Sequence, residues 1–135
     1  MIKAFTSVLS GCVAGIAVLF LTEMISHAIY PPPPGLDPSN PENLKALMAM
    51  APTGALVLVL IAGFAGGFAG GIVASLFDRG KKLRRALGVG IVLTILGIIN
   101  LIMIPHPMWF MIINVVVYIC GALAGTMLVK PTKNA

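Results

Sequence analysis

Residues 53–85 read TGALVLVLIAGFAGGFAGGIVASLFDRGKKLRR, a long run without charge or proline that stops abruptly at a block of cations. A helix rises about 1.5 Å per residue, so roughly 20 apolar residues cross the hydrocarbon core of a bilayer. Residues 53–77 meet that length, and Asp78-Arg79-Gly80 closes the run. The cations that follow, Lys81, Lys82, Arg84 and Arg85, sit where basic residues set the orientation of a membrane span.

Outward from this stretch, three more apolar runs fall at roughly 4–29, 86–104 and 108–129. Pro52 precedes the second span, and Pro105-His106-Pro107 breaks what would otherwise be one run into the third and fourth. Lys3, the five cations of 79–85, Lys130 and Lys133 fall on one side of this layout, against Lys45 alone on the other. By the positive-inside rule the side with eight is cytoplasmic. The expected fold is therefore an all-α, integral membrane four-helix bundle, a single transmembrane domain over residues 1–135 with both termini cytoplasmic.

Composition agrees. The chain has 135 residues, of which 59% are hydrophobic and 10% charged. A mean hydropathy of +1.04 leaves too little polar surface for water, so the lipid bilayer is its first partner. The net charge of +5 does not indicate a nucleic-acid binder, because the cations cluster between spans and not on a basic face interleaved with aromatics. Cys12 and Cys120 lie inside spans without Cys-x-x-Cys pairing, which argues against a structural disulfide or thiol oxidoreductase. Leu9-Ser10-Gly11-Cys12 matches a lipobox, but the apolar run before it is short and the run after it stays apolar to Leu21. That pattern fits a span better than a lipoprotein signal.

The one long loop, 30–52, faces outward. Pro31-Pro32-Pro33-Pro34 favours a polyproline II rod after Tyr30, turned by Gly35 and Asp37-Pro38. Ser39 or Asn40 then caps a short helix of about 41–50, with Pro41 at its first position and Glu42 in its first turn. Its residues Leu44, Leu47, Met48 and Met50 place it on the membrane interface or over the bundle mouth.

Small residues supply the packing signal. Gly63, Gly67 and Gly71 recur every four residues, overlapped by Ala62, Gly66 and Gly70, while the first span carries Ser7, Gly11 and Gly15. Such glycine-zipper ridges bring backbones close enough for dispersion and Cα–H hydrogen bonds to hold helices together. Packing within the bundle is the expected use, and a homodimer seam the alternative, so a homo-oligomer or larger membrane complex is the partner class. Gly67-Phe68-Ala69-Gly70-Gly71 has a counterpart in Gly121-Ala122-Leu123-Ala124-Gly125, a weak sign of a parallel duplication of two helix pairs.

Glu23 is the most informative residue, because a carboxylate within a span is costly and marks a candidate site. His27 lies one helical turn later, with Ser26 and Tyr30 flanking the stripe. Asn100 and Asn114 fall at similar depth below the Pro-His-Pro turn. If these faces turn inward, Glu23, His27, Asn100 and Asn114 form one polar cluster, with His106 and Trp109 at its mouth. The bland account is an interhelical hydrogen-bond network; the sharper one is a site for a proton, cation or small polar ligand. Two histidines and a carboxylate are a conceivable metal or haem set, yet no local metal-binding spacing or cofactor motif accompanies them. Trp109 also suits an aromatic-belt anchor.

Glu23-x-x-x-His27, Tyr30-Pro-Pro-Pro-Pro-Gly35-x-Asp37-Pro38-x-x-Pro41-Glu42 and Asn100-Leu-Ile-Met-Ile-Pro-His-Pro-x-Trp109-Phe110 together resemble a family of small, uncharacterised bacterial membrane proteins. The resemblance implies a bacterial inner-membrane location and no particular substrate or activity. Small multidrug transporters share four helices and a carboxylate in the first, but their antiparallel dimers need a weak charge bias, whereas eight cations against one fix a single orientation. With no recognised catalytic motif, the expected function is a non-enzymatic accessory or assembly component. The alternative is a small transporter or channel using Glu23 and His27.

Overall fold

The computed structural model describes residues 1–133 and contains five α-helices: α1 (Ile2–Ile29), α2 (Pro41–Met50), α3 (Thr53–Phe77), α4 (Lys82–Met103) and α5 (Met108–Met127). A 3-10 turn, Arg79–Lys81, joins α3 to α4. The four long helices are each apolar and long enough to cross a membrane, which makes the molecule an integral membrane four-helix bundle.

The spans agree with the sequence within a few residues except at one boundary. The third was expected to start near residue 86, after a basic loop, yet α4 begins at Lys82, and Lys82-Leu83-Arg84-Arg85 is its first turn. Lysine, leucine and arginine are strong helix formers, so nothing local breaks the helix once Gly80 has passed. α2 occupies the expected 41–50, and the choice of cap is settled. Asn40 Oδ1 accepts the Glu42 amide at 3.0 Å, while Ser39 instead donates its amide and hydroxyl to Asp37 at 2.9 and 2.7 Å. Gly35 turns the preceding loop at φ +91°, a region that side chains rarely adopt.

In cross-section α3 packs between α1 and α5, and α4 lies against all three, while the α1 and α5 backbones stay apart, with no Cα atoms within 8 Å of each other among the described residues. Glycine decides this arrangement. At the α1–α3 crossing, a Cβ on Gly11 would lie 2.6 Å from Gly70 O and one on Gly15 2.7 Å from Gly66 O; Gly66 and Gly70 meet α1 reciprocally at 2.8 and 2.6 Å. No Cβ fits at such distances, so only glycine permits this approach.

The opposite side of α3 does the same for α5. A Cβ on Gly67 would meet Ala122 N at 3.1 Å, one on Gly71 would meet Ala122 Cα at 2.8 Å, and one on Gly125 would meet Phe68 C at 2.9 Å. The stretches 67–71 and 121–125, counterparts in sequence, thus pack on each other in parallel helices. Ser7, Gly11, Gly15, Gly63, Gly66, Gly67, Gly70, Gly71, Gly121 and Gly125 are all buried inside the bundle.

The end holding Lys3, the 78–85 connection and the end of α5 is basic. Asp78 Oδ2 accepts from Arg85 Nε at 2.9 Å. This hydrogen bond holds the Asp78 carboxyl below the usual carboxylate range, opposed by partial burial and reinforced by the charges of Arg85 and Lys3 and by the Lys81 amide. Nearby, Ser75 Oγ donates to Gly71 O at 2.6 Å and shares a 2.5 Å hydrogen bond with Thr126 Oγ1. Lys82 Nζ reaches across to Thr126 O at 3.2 Å and Val129 O at 2.5 Å, closing the carbonyl end of α5.

Candidate functional site

At the proline-bearing end, α5 presents Phe110, Asn114 and Tyr118 four residues apart, all on its buried face. Tyr118 fits because its neighbours are glycines. A Cβ on Gly63 of α3 would stand 3.1 Å from Tyr118 Cε1, and one on Gly97 of α4 would stand 2.7 Å from Cε2. The ring is held in a slot between two helices, with Asn114 Nδ2 one turn away, 3.0 Å from the same point on Gly97.

Glu23 on α1 is half-buried and lies within electrostatic range of both His27 on its own helix and the buried Tyr118 of α5. Ser26 is buried on the same side of α1. Glu23 and His27 lie one turn apart, but they form no hydrogen bond or ion pair, and the His27 side chain is exposed.

The four residues expected to converge therefore divide. Glu23 and Asn114 turn inward, whereas His27 and Asn100 are exposed. Asn100 contributes its backbone instead, accepting the Ile104 amide at 3.0 Å to end α4. Among the described residues no three His, Cys, Asp or Glu side chains come together as a metal set. Glu23, His27 and His106 do not form the ligand group that their composition suggested, because His27 is exposed on the helix it shares with Glu23 and His106 is tied to Ile104 in the turn between α4 and α5.

His106 and Trp109 belong to a separate site. The His106 ring stacks on Phe110 with centroids 4.8 Å apart and planes at 10°, and Nδ1–H donates to Ile104 O at 2.6 Å. In the neutral imidazole that bond leaves Nε2 as the acceptor. Trp109 meets Phe110 edge-on at 5.9 Å. Phe110, Leu56, Leu60 and Leu101 form a small core against which Met48 of α2 packs. Beneath α2 lies a cleft of about 350 Å³ whose walls include Lys45, Met48, His106 and Trp109.

Tyr118 and the Ser75–Thr126–Lys82 network were not singled out from the sequence. A signal for Tyr118 existed in its four-residue spacing from Asn114 and its place on the stripe leading to Ala122 and Gly125. Lys82 carried no such signal, since a cation near a span end reads first as an orientation mark.

The fold and its sites define a small four-span integral membrane protein. No protein-family model, curated protein or solved structure matches the chain.

Proposed function

We propose that this protein is a non-enzymatic accessory or assembly component of a bacterial inner-membrane complex, and that it holds a partner through its proline-bearing, outward end. The observation carrying this reading is the cleft of about 350 Å³ between α2 and the Pro105–Pro107 turn. The bundle below it is filled by backbone-on-backbone glycine packing, which suits a rigid support. α2 itself rests on that support through Met48. Trp109 on the cleft wall supports this reading, since tryptophan is among the residue types that most often anchor interfaces. A photo-crosslinking residue at Ala49, which lines the cleft, is expected to give one discrete heteromeric adduct in native membranes, weakened by Trp109→Ala. Adducts with the protein itself alone, across gentle detergents, would overturn the reading.

A second reading rests on Glu23, a half-buried carboxylate in electrostatic reach of Tyr118 and His27. A small transporter or channel would use it to bind or relay a cation. Reconstituted wild type would then carry a pH-dependent flux that Glu23→Gln loses. Absence of any proton, alkali-cation or divalent-metal flux in wild type ends that reading.

A further inference from the structure

We propose that the cleft between the end of α3 and the end of α5 binds one anionic glycerophospholipid, its phosphate held by Arg79 and Lys130 and its acyl chain lying along Ile72, Leu76 and Leu128. These residues, with Val129, line a depression of about 450 Å³.

The chemistry of the walls changes along the membrane normal. Ile72 and Leu76 belong to the last turns of an apolar span, and Arg79 follows just past its end at Phe77. At helical rise, Ile72 lies roughly 7 Å below the helix end at Phe77. A phospholipid has the same polarity profile, with a charged head above hydrocarbon.

The cations of this end have distinct positions. Arg85 is paired with Asp78, and Lys82 is bound to the carbonyls of Thr126 and Val129. Arg79 and Lys130 have no acidic or hydrogen-bonding side-chain partner among the described residues, and both border the cleft. The Lys82 clamp also fixes the turn that carries Leu128 and Lys130, where Leu128 N and Val129 N donate to Gly125 O and Thr126 O at 3.2 and 3.1 Å. One wall is therefore built, not left to a loose terminus. Clustered basic residues at a span end favour the anionic lipids of the cytoplasmic leaflet, each cation adding to the attraction.

The test is native mass spectrometry of the full chain in detergent with phosphatidylglycerol and phosphatidylcholine offered together. One retained phosphatidylglycerol per chain is expected, with retention falling roughly tenfold or more in Arg79→Gln/Lys130→Gln. Lys81→Gln/Arg84→Gln removes the same charge from exposed side chains outside the cleft and is expected to retain lipid within about twofold of wild type. An equal loss in both double variants would show a diffuse charge effect and overturn the proposal. So would equal retention of the two lipids. Displacement of lipid by inorganic phosphate alone would reassign the cleft as a simple anion site. All four substituted cations are exposed, so comparable melting temperatures without added lipid are expected for both variants.

Discussion

Gly70 and Gly88 both lie on helix faces turned toward α1, but a methyl group added to each meets different resistance. On Gly70 it would lie 2.6 Å from the backbone oxygen of Gly11, whereas on Gly88 its nearest neighbour is the Val8 Cγ2 methyl at 3.1 Å. Backbone at a helix crossing has nowhere to go, while a side chain shifts. Gly70→Ala is expected to lose about 1–3 kcal/mol in unfolding from mixed micelles. Gly88→Ala should stay within about 1 kcal/mol of wild type, because the gain in helix propensity offsets slight crowding. Equal effects of the two would remove the distinction. Asp78 provides a pH test at the same scale. Its folded pKa lies below the unfolded value of about 3.9, so its pairing with Arg85 contributes stability above that pH and loses it as pH falls through the lowered folded value. The melting-temperature advantage of wild type over Asp78→Asn, present at pH 7, should shrink below about pH 4. An undiminished advantage in strong acid would contradict this. Glycine spacing is legible in sequence, and so is the oddity of Glu23 in a span. Which backbone each glycine touches is not, because Gly66/Gly70 and Gly67/Gly71 differ by one residue and serve opposite partners.

The α3–α4 connection shows how one residue serves two elements. A basic block between apolar runs reads as a loop and an orientation mark, and three of the cations, Lys82, Arg84 and Arg85, are in fact α-helical, with Arg79 and Lys81 in the 3-10 turn before them. Lys82 then closes the end of a different helix. Its ammonium takes two carbonyls of the α5 terminus, where the helix dipole favours positive charge. Lys82→Met should therefore destabilise the protein by roughly 1.5–3 kcal/mol, the range for charge-assisted hydrogen bonds. Lys81→Met, an exposed neighbour without such bonds, should have little effect in the same denaturation assay. If both variants behave alike, the cap contributes nothing. α2 was the more legible element, since Asn40, Pro41 and Glu42 are local capping chemistry that does not depend on distant residues.

At the scale of the whole molecule, antiparallel connections put the start of α1, the end of α5 and the 78–85 segment at one end and 30–52 at the other. With eight cations against one, a single orientation is expected. In intact cells an impermeant maleimide should label Ser39→Cys, and Gly80→Cys only after permeabilisation. Both being labelled in intact cells would mean mixed orientation. Hydropathy, proline placement and charge asymmetry alone establish the four spans, their turns and that expected orientation, because each follows from a residue's own transfer energy or backbone limits. The inward faces came only with the tertiary structure. In lipid, inward and outward surfaces are equally apolar, so hydrophobicity carries no direction, and close packing makes the choice. That choice brought Glu23 within range of Tyr118, turned His27 and Asn100 outward, and gave His106 and Trp109 a cleft of their own.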